Sequence, residues 1–146
     1  MTQAKRVPVR DYMSTPILFA LSDESVHAAY TRMRDGNVRQ LPVLERGTPV
    51  GLLFMRDLAL FEHLPRNVAD KILVDSVMER EVYTVDPKTP VDLVARRMSK
   101  NKYNAAIVVE NGHALGVFTT VDALRALSDS LTDSLPEGVH QSADSW

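Results

Sequence analysis

The chain has 146 residues, 45% apolar and 25% charged, and its 17 Lys and Arg against 19 Asp and Glu leave a formal net charge of -2. No basic field is present to attract phosphodiester backbones or anionic lipid, so neither nucleic acid nor a membrane surface is expected as partner. Cysteine is absent, which removes disulfides, thiolate catalysis and thiolate metal ligands, and the opening "MTQAKRVPVRDYM" lacks the apolar middle of a signal peptide. A protein of the cytoplasm is expected.

In chain order, the first predicted element is a short apolar strand, "ILFA". A helix follows, opened loosely by Ser22 with Asp23 and Glu24, its apolar residues Val26, Ala29, Tyr30 and Met33 falling at the i, i+3, i+4, i+7 spacing of a one-sided helix. Two apolar strands, "LPVLE" and "PVGLLF", are separated by "RGT", a glycine-bearing hairpin signal. A closing helix carries Leu58 and Phe61, and "EHLPRNVADKI" reads as a linker with some helical character.

The same succession then returns. Strand "VYTV" precedes a helix for which Thr89 as N-cap, Pro90 in the first turn and Asp92 three after the cap predict a capping-box start. Val91, Val94, Ala95 and Met98 form its apolar face. Strands "AAIVVE" and "ALGVFT" flank "NGH", and a last helix carries Leu124, Leu127 and Leu131.

Val9 to Phe61 lies on Val74 to Ala126 without a gap, at an offset of 65 (74 minus 9), and ten pairs are identical, including Met13/Met78, Arg32/Arg97, Gly47/Gly112, Gly51/Gly116 and Asp57/Asp122. Most remaining pairs exchange one apolar residue for another, so both copies bury the same positions. A three-stranded sheet with two helices on one side leaves its other apolar side bare. The expectation is therefore an α/β fold of two pseudo-symmetric strand-helix-strand-strand-helix repeats packed sheet to sheet. The bounds are 7–63 and 74–130, with a linker at 64–73 and a mobile tail at 131–146 in which Trp146 has no evident core partner.

Two such units, each ending in glycine, an apolar strand and Asp, with a Ser or Thr three residues before that Asp present as Thr119 in the second copy, resemble the cystathionine-β-synthase (CBS) domain pair. The likeness runs from about Val7 to Asp129 and includes "VRDYM" and "VDSVM", "RQLPVLERG" and "GVFTTVDAL". It implies a non-catalytic regulatory module that binds an adenosine-containing ligand, AMP, ADP, ATP with Mg2+, or S-adenosylmethionine, in the cleft between the repeats and signals to a partner protein. By that resemblance Asp122 accepts from the ribose hydroxyls, Thr119 contacts ribose or phosphate and Arg39 lies near the phosphates. Thr15, Ile17, Val38, Leu41 and Pro42 border the base, with Val117 beneath it. A carboxylate with two acceptor oxygens suits a vicinal diol, and a hydroxyl at a helix start sits beside free N–H groups that favour an anion. In the other cleft, Asp57, Val82 and Tyr83 mark a weaker site, because Phe54 replaces Thr119 and Asn104 replaces Arg39. A homodimer is implied as well.

Plainer roles exist for each residue. Thr119 with Asp122 has capping-box spacing, Asp57 suits a helix first turn, Gly51 and Gly116 permit a bulge or close strand approach, and Arg39 suits a surface. The histidines, His27, His63, His113 and His140, are too scattered for a metal. Met13, Met33, Met78 and Met98 suit a core. No nucleophile, base or acidic cluster accompanies Asp122, which argues against phosphoryl or nucleotidyl transfer. A ligand-free interaction or dimerisation module is the alternative.

Overall fold

A computed structural model of the protein describes residues 6–134. The elements are β1 (Ala20–Leu21), α1 (Val26–Asp35), β2 (Gln40–Glu45), β3 (Thr48–Phe54), α2 (Met55–Leu58) and α3 (Arg66–Ala69), followed by β4 (Thr84–Val85), α4 (Val91–Asn101), β5 (Ala105–Glu110), β6 (His113–Thr119) and α5 (Thr120–Ser134). Because α5 runs through Ser134, positions 131–134, expected in a tail, are helical. The expected mobility of 135–146, Trp146 included, falls outside the described residues.

Each repeat has one mixed three-stranded sheet, ordered β1-β2-β3 and β4-β5-β6, in which the short first strand runs parallel to the second and a hairpin follows. The hairpin turns place Arg46 and Gly47 at φ 52 and 81°, and Asn111 and Gly112 at φ 54 and 81°. Two successive positive φ values make the type I′ turn whose twist matches paired strands, and glycine takes the second place at no steric cost. The opening strands differ from "ILFA" and "VYTV": Ala20 and Leu21 pair in the first and Thr84 and Val85 in the second, while Ile17 and Val82 pack between the sheets.

Two helix starts differ from expectation. Ser25, not Ser22, caps α1, accepting from Ala28 N–H at 3.1 Å, while Ser22 bonds Glu45. α4 has Pro90 as N-cap and no side-chain cap; the Val91 N–H donates instead to Val7 O at 2.7 Å. A backbone carbonyl from the lead-in thus satisfies the donor that a Thr89 side chain was expected to help with.

The lead-ins explain why. Val9–Asp11 and Val74–Ser76 are 3-10 turns, and each packs on the repeat to which it does not belong in sequence. Val74 and Met78 are buried with Ala20, Val26, Met33, Leu41 and Leu58 in the first core, and Val9 is buried with Val94, Met98 and Phe118 in the second, joined by Tyr12 and Met13. Backbone bonds fix both crossings: Val9 N–H to Thr89 O at 2.7 Å and Val74 N–H to Glu24 O at 2.8 Å. Burying each valine contributes about 1.5–3 kcal/mol, so the repeats hold one another in place. Glu24 is also tied to Arg32 at 2.6 Å. Partial burial alone would raise its carboxyl, but the hydrogen bonds from Arg32 and Leu21 N–H, with the guanidinium charge, hold it below the usual carboxylate range.

A third cluster, Leu52, Ala105, Ile107 and Val117, lies between the sheets. β3 faces β6, and Ala114 N–H donates to Gly47 O at 2.9 Å, so the hairpins also touch. The expected α/β pair of repeats packed sheet to sheet is the observed fold. Among the described residues, no helix is long and apolar enough to cross a membrane.

Candidate functional site

α5 begins at Thr120, directly after β6, which puts Thr119 at the cap and Asp122 three residues on. The spacing is realised as a reciprocal capping box: Asp122 N–H donates to Thr119 Oγ1 at 3.3 Å, and Thr119 N–H donates to Asp122 Oδ2 at 2.9 Å. Ser14 Oγ lies 3.2 Å from both carboxylate oxygens, and Arg125 Nη2 donates to Oδ1 at 3.3 Å. Asp122 is 3% exposed, the one buried charged residue among the described residues. Arg125 also donates to Tyr12 O at 2.8 Å and stacks over the Tyr12 ring. Asp122 therefore fastens the first lead-in to the last helix.

Of the residues expected to surround a base here, Ile17 and Val117 meet between the sheets, and Pro42 is buried opposite Leu52 on the same face. Leu41 is not with them. It is 0% exposed in the first core, under the helices, with Val38 packed against that same cluster. Neighbouring strand residues point to opposite faces, so "LP" supplies the proline to the cleft and the leucine to the core. Thr15 and Arg39 are exposed, and no ion pair holds the Arg39 guanidinium among the described residues. Gln40 was missed by the sequence: its Nε2 reaches Asn104 O at 3.4 Å, and its Oε1 is buried with no hydrogen-bond partner among the described residues.

The other cleft, expected to be the weaker, is an open cavity of about 260 Å³ between the repeats. Val82 and Tyr83 line it as expected, with Phe54, Asn104, Leu52 and Ile107. Glu79, Glu81, Arg56, Lys102 and Tyr103 also line it and were not singled out from the sequence. Tyr83 and Tyr103 lie with ring centroids 5.1 Å apart, and Arg56 stacks over Phe54 at 4.8 Å. Burial pushes the Tyr83 phenol above its ordinary value against the opposing charge of Arg97, so it remains a neutral donor near neutral pH. Asp57 does not line this cavity: its side chain is 55% exposed, 3.9 Å from Arg56. Phe54 offers no side-chain cap to α2, so nothing draws Asp57 inward as Thr119 draws Asp122.

A second cavity of about 380 Å³ lies on the helix side of the first repeat, lined by Val26, His27, Tyr30, Leu58, Phe61 and Arg66 among others. Among the described residues, no group of three or more His, Cys, Asp or Glu could hold a metal ion.

A model of the CBS domain family matches the chain twice, at residues 9–63 and 74–129. The A-adding tRNA nucleotidyltransferase of Aquifex aeolicus (strain VF5) is 29% identical over 127 residues, 86% of this chain, but the match covers only 15% of that enzyme. The chain likewise spans no more than 25% of the sulfurtransferases it matches. The CBS domain-containing protein YhcV of Bacillus subtilis (strain 168) is 24% identical over 138 residues, 90% of this chain and 98% of its own length. Among solved structures, the CBS domain pair of protein MJ0100, in complex with 5′-methylthioadenosine and S-adenosyl-L-methionine, is 29% identical with a TM-score of 0.74, covering 86% of this chain and 99% of that one.

Proposed function

Because the chain belongs to the CBS domain family, we propose that it is a non-catalytic regulatory module that takes an adenosine-containing ligand between its repeats and passes the occupancy to a partner protein in the cytoplasm. The observation that carries the proposal is the open cleft of about 260 Å³ between the repeats, whose wall includes the Tyr83 and Tyr103 rings, apolar surface suited to a base, and Asn104, whose amide has a donor and an acceptor suited to its edge. The complex of MJ0100 with two adenosine compounds supports it. The enzyme names among the relatives belong to proteins of which this chain matches a small part.

In this proposal the open cleft receives the ligand first. The Thr119–Asp122 position, with Ile17, Pro42 and Val117 beside it and Arg39 at its rim, receives one only where ribose hydroxyls displace Ser14 Oγ from the carboxylate. The test is a thermal-shift panel of AMP, ADP, ATP with and without Mg2+, 5′-methylthioadenosine and S-adenosylmethionine. A ligand at a hundred times its dissociation constant stabilises by about 2.7 kcal/mol, several degrees for a chain of this size. No shift with any of them at millimolar concentration rejects the proposal.

A second reading then takes its place. Val121, Leu124 and Leu127 on α5 are each more than half exposed, an apolar face suited to a second copy of the chain, so that result would leave a dimerisation module.

A further inference from the structure

We propose that the open cleft selects an adenosine whose 5′ substituent carries an onium centre and a carboxylate, as in S-adenosylmethionine, over one carrying a polyphosphate, and that Glu79 and Glu81 make the selection. This rests on the adenosine reading above and specifies its ligand class. The ionised side chains of the wall are Arg56, Lys102, Glu79 and Glu81, two of each sign. An amino-acid substituent matches such a wall group for group, its sulfonium and ammonium facing the glutamates and its carboxylate facing Arg56 or Lys102. A polyphosphate would set several negative charges against both glutamates.

Glu79 and Glu81 form no ion pair among the described residues. Glu79 is also held in position: its N–H donates to Leu52 O and its carbonyl accepts from Leu52 N–H, both at 2.8 Å, which anchors its backbone to β3 at the cleft. The rings of Phe54, Tyr83 and Tyr103 in the same wall favour a cation: Arg56 stacks on Phe54, and Arg97 lies 6.0 Å over Tyr83. The acids are particular to this cleft. At the offset of 65, Glu79 and Glu81 correspond to Ser14 and Pro16, both neutral, while Asp57, an acid common to both repeats, stays outside the wall.

Calorimetric titrations of the full chain with S-adenosylmethionine, 5′-methylthioadenosine and Mg2+-ATP test the proposal, repeated for Glu79→Gln, Glu81→Gln and the double variant. Both glutamates are exposed, and melting curves verify that the variants fold. The wild type is expected to bind S-adenosylmethionine at least tenfold tighter than ATP. The double variant should lose about tenfold in S-adenosylmethionine affinity, gain in ATP affinity, and keep its affinity for the uncharged thioether of methylthioadenosine. ATP binding as tightly as S-adenosylmethionine, or a preference unchanged by the double variant, overturns the selection while leaving the adenosine reading intact. If none of the three binds, the adenosine reading fails and this inference with it.

Discussion

Asp122 shows how much one carboxylate can be asked to hold. It closes the capping box with Thr119, accepts Ser14 from the first lead-in and pairs with Arg125, all at 3% exposure. Asp122→Ala should therefore lower the stability of the ligand-free protein by about 1–3 kcal/mol, through the lost cap and the donors left unpaired. Asp57→Ala, at an exposed side chain, should stay within about 0.5 kcal/mol. Denaturant unfolding of both variants checks the contrast, and equal effects would deny the difference between the two helix starts. The box itself was legible, because its partners are three residues apart. Ser14 was not, since 108 residues separate it from Asp122. Leu41 was misplaced for a different reason: a resemblance transfers a segment, whereas strand alternation decides which of two neighbours faces the cleft.

The elements were legible wherever their signals are local. Hairpin glycines and one-sided helices follow from short-range pattern. What local pattern could not show is the exchange of lead-ins, and this exchange gives Gly51 and Gly116 their role. A Cβ at Gly116 would lie 2.8 Å from Ser14 O and from Met13 Sδ, and one at Gly51 would lie 2.5 Å from Met78 Sδ and 3.0 Å from Glu79 O. Both glycines stand beside a bulge, where the register shifts between Val43 and Leu44 or between Val108 and Val109. They keep the sheet surface flat enough for the crossing chain to pair with it, Ser14 with Val117 and Glu79 with Leu52. Gly116→Ala should cost about 1–3 kcal/mol and speed amide exchange at Ser14 and Val117, because the obstructing atom is backbone and must shift. Unchanged stability and protection would mean that the approach is looser than the distances imply. The caps at Ser25 and Pro90 escaped sequence reasoning for the same reason, since Val7 and Ile72 supply carbonyls from distant segments to Val91 and Val26.

At the scale of the molecule, the duplication predicts two related clefts, and the residues that differ between them make them unlike. In one, Thr119, Asp122 and Ser14 are bonded together; in the other, Phe54 closes no box, Asp57 stays outside and a cavity lined by Val82, Tyr83 and Tyr103 remains. The sequence showed the asymmetry through the family motif, Thr119 and Asp122 against Phe54 and Asp57; that Ser14 of the same chain engages the carboxylate is visible only in the fold. The central claim is that an adenosine ligand occupies the open cleft. It is tested most directly by a backbone amide NMR titration with S-adenosylmethionine. The account predicts saturable shifts concentrated at Phe54, Glu79, Tyr83, Tyr103 and Asn104, with the exposed face of α5 at Val121 and Leu124 unmoved. No saturable shift at millimolar ligand, or shifts confined to residues away from this cleft, would contradict it.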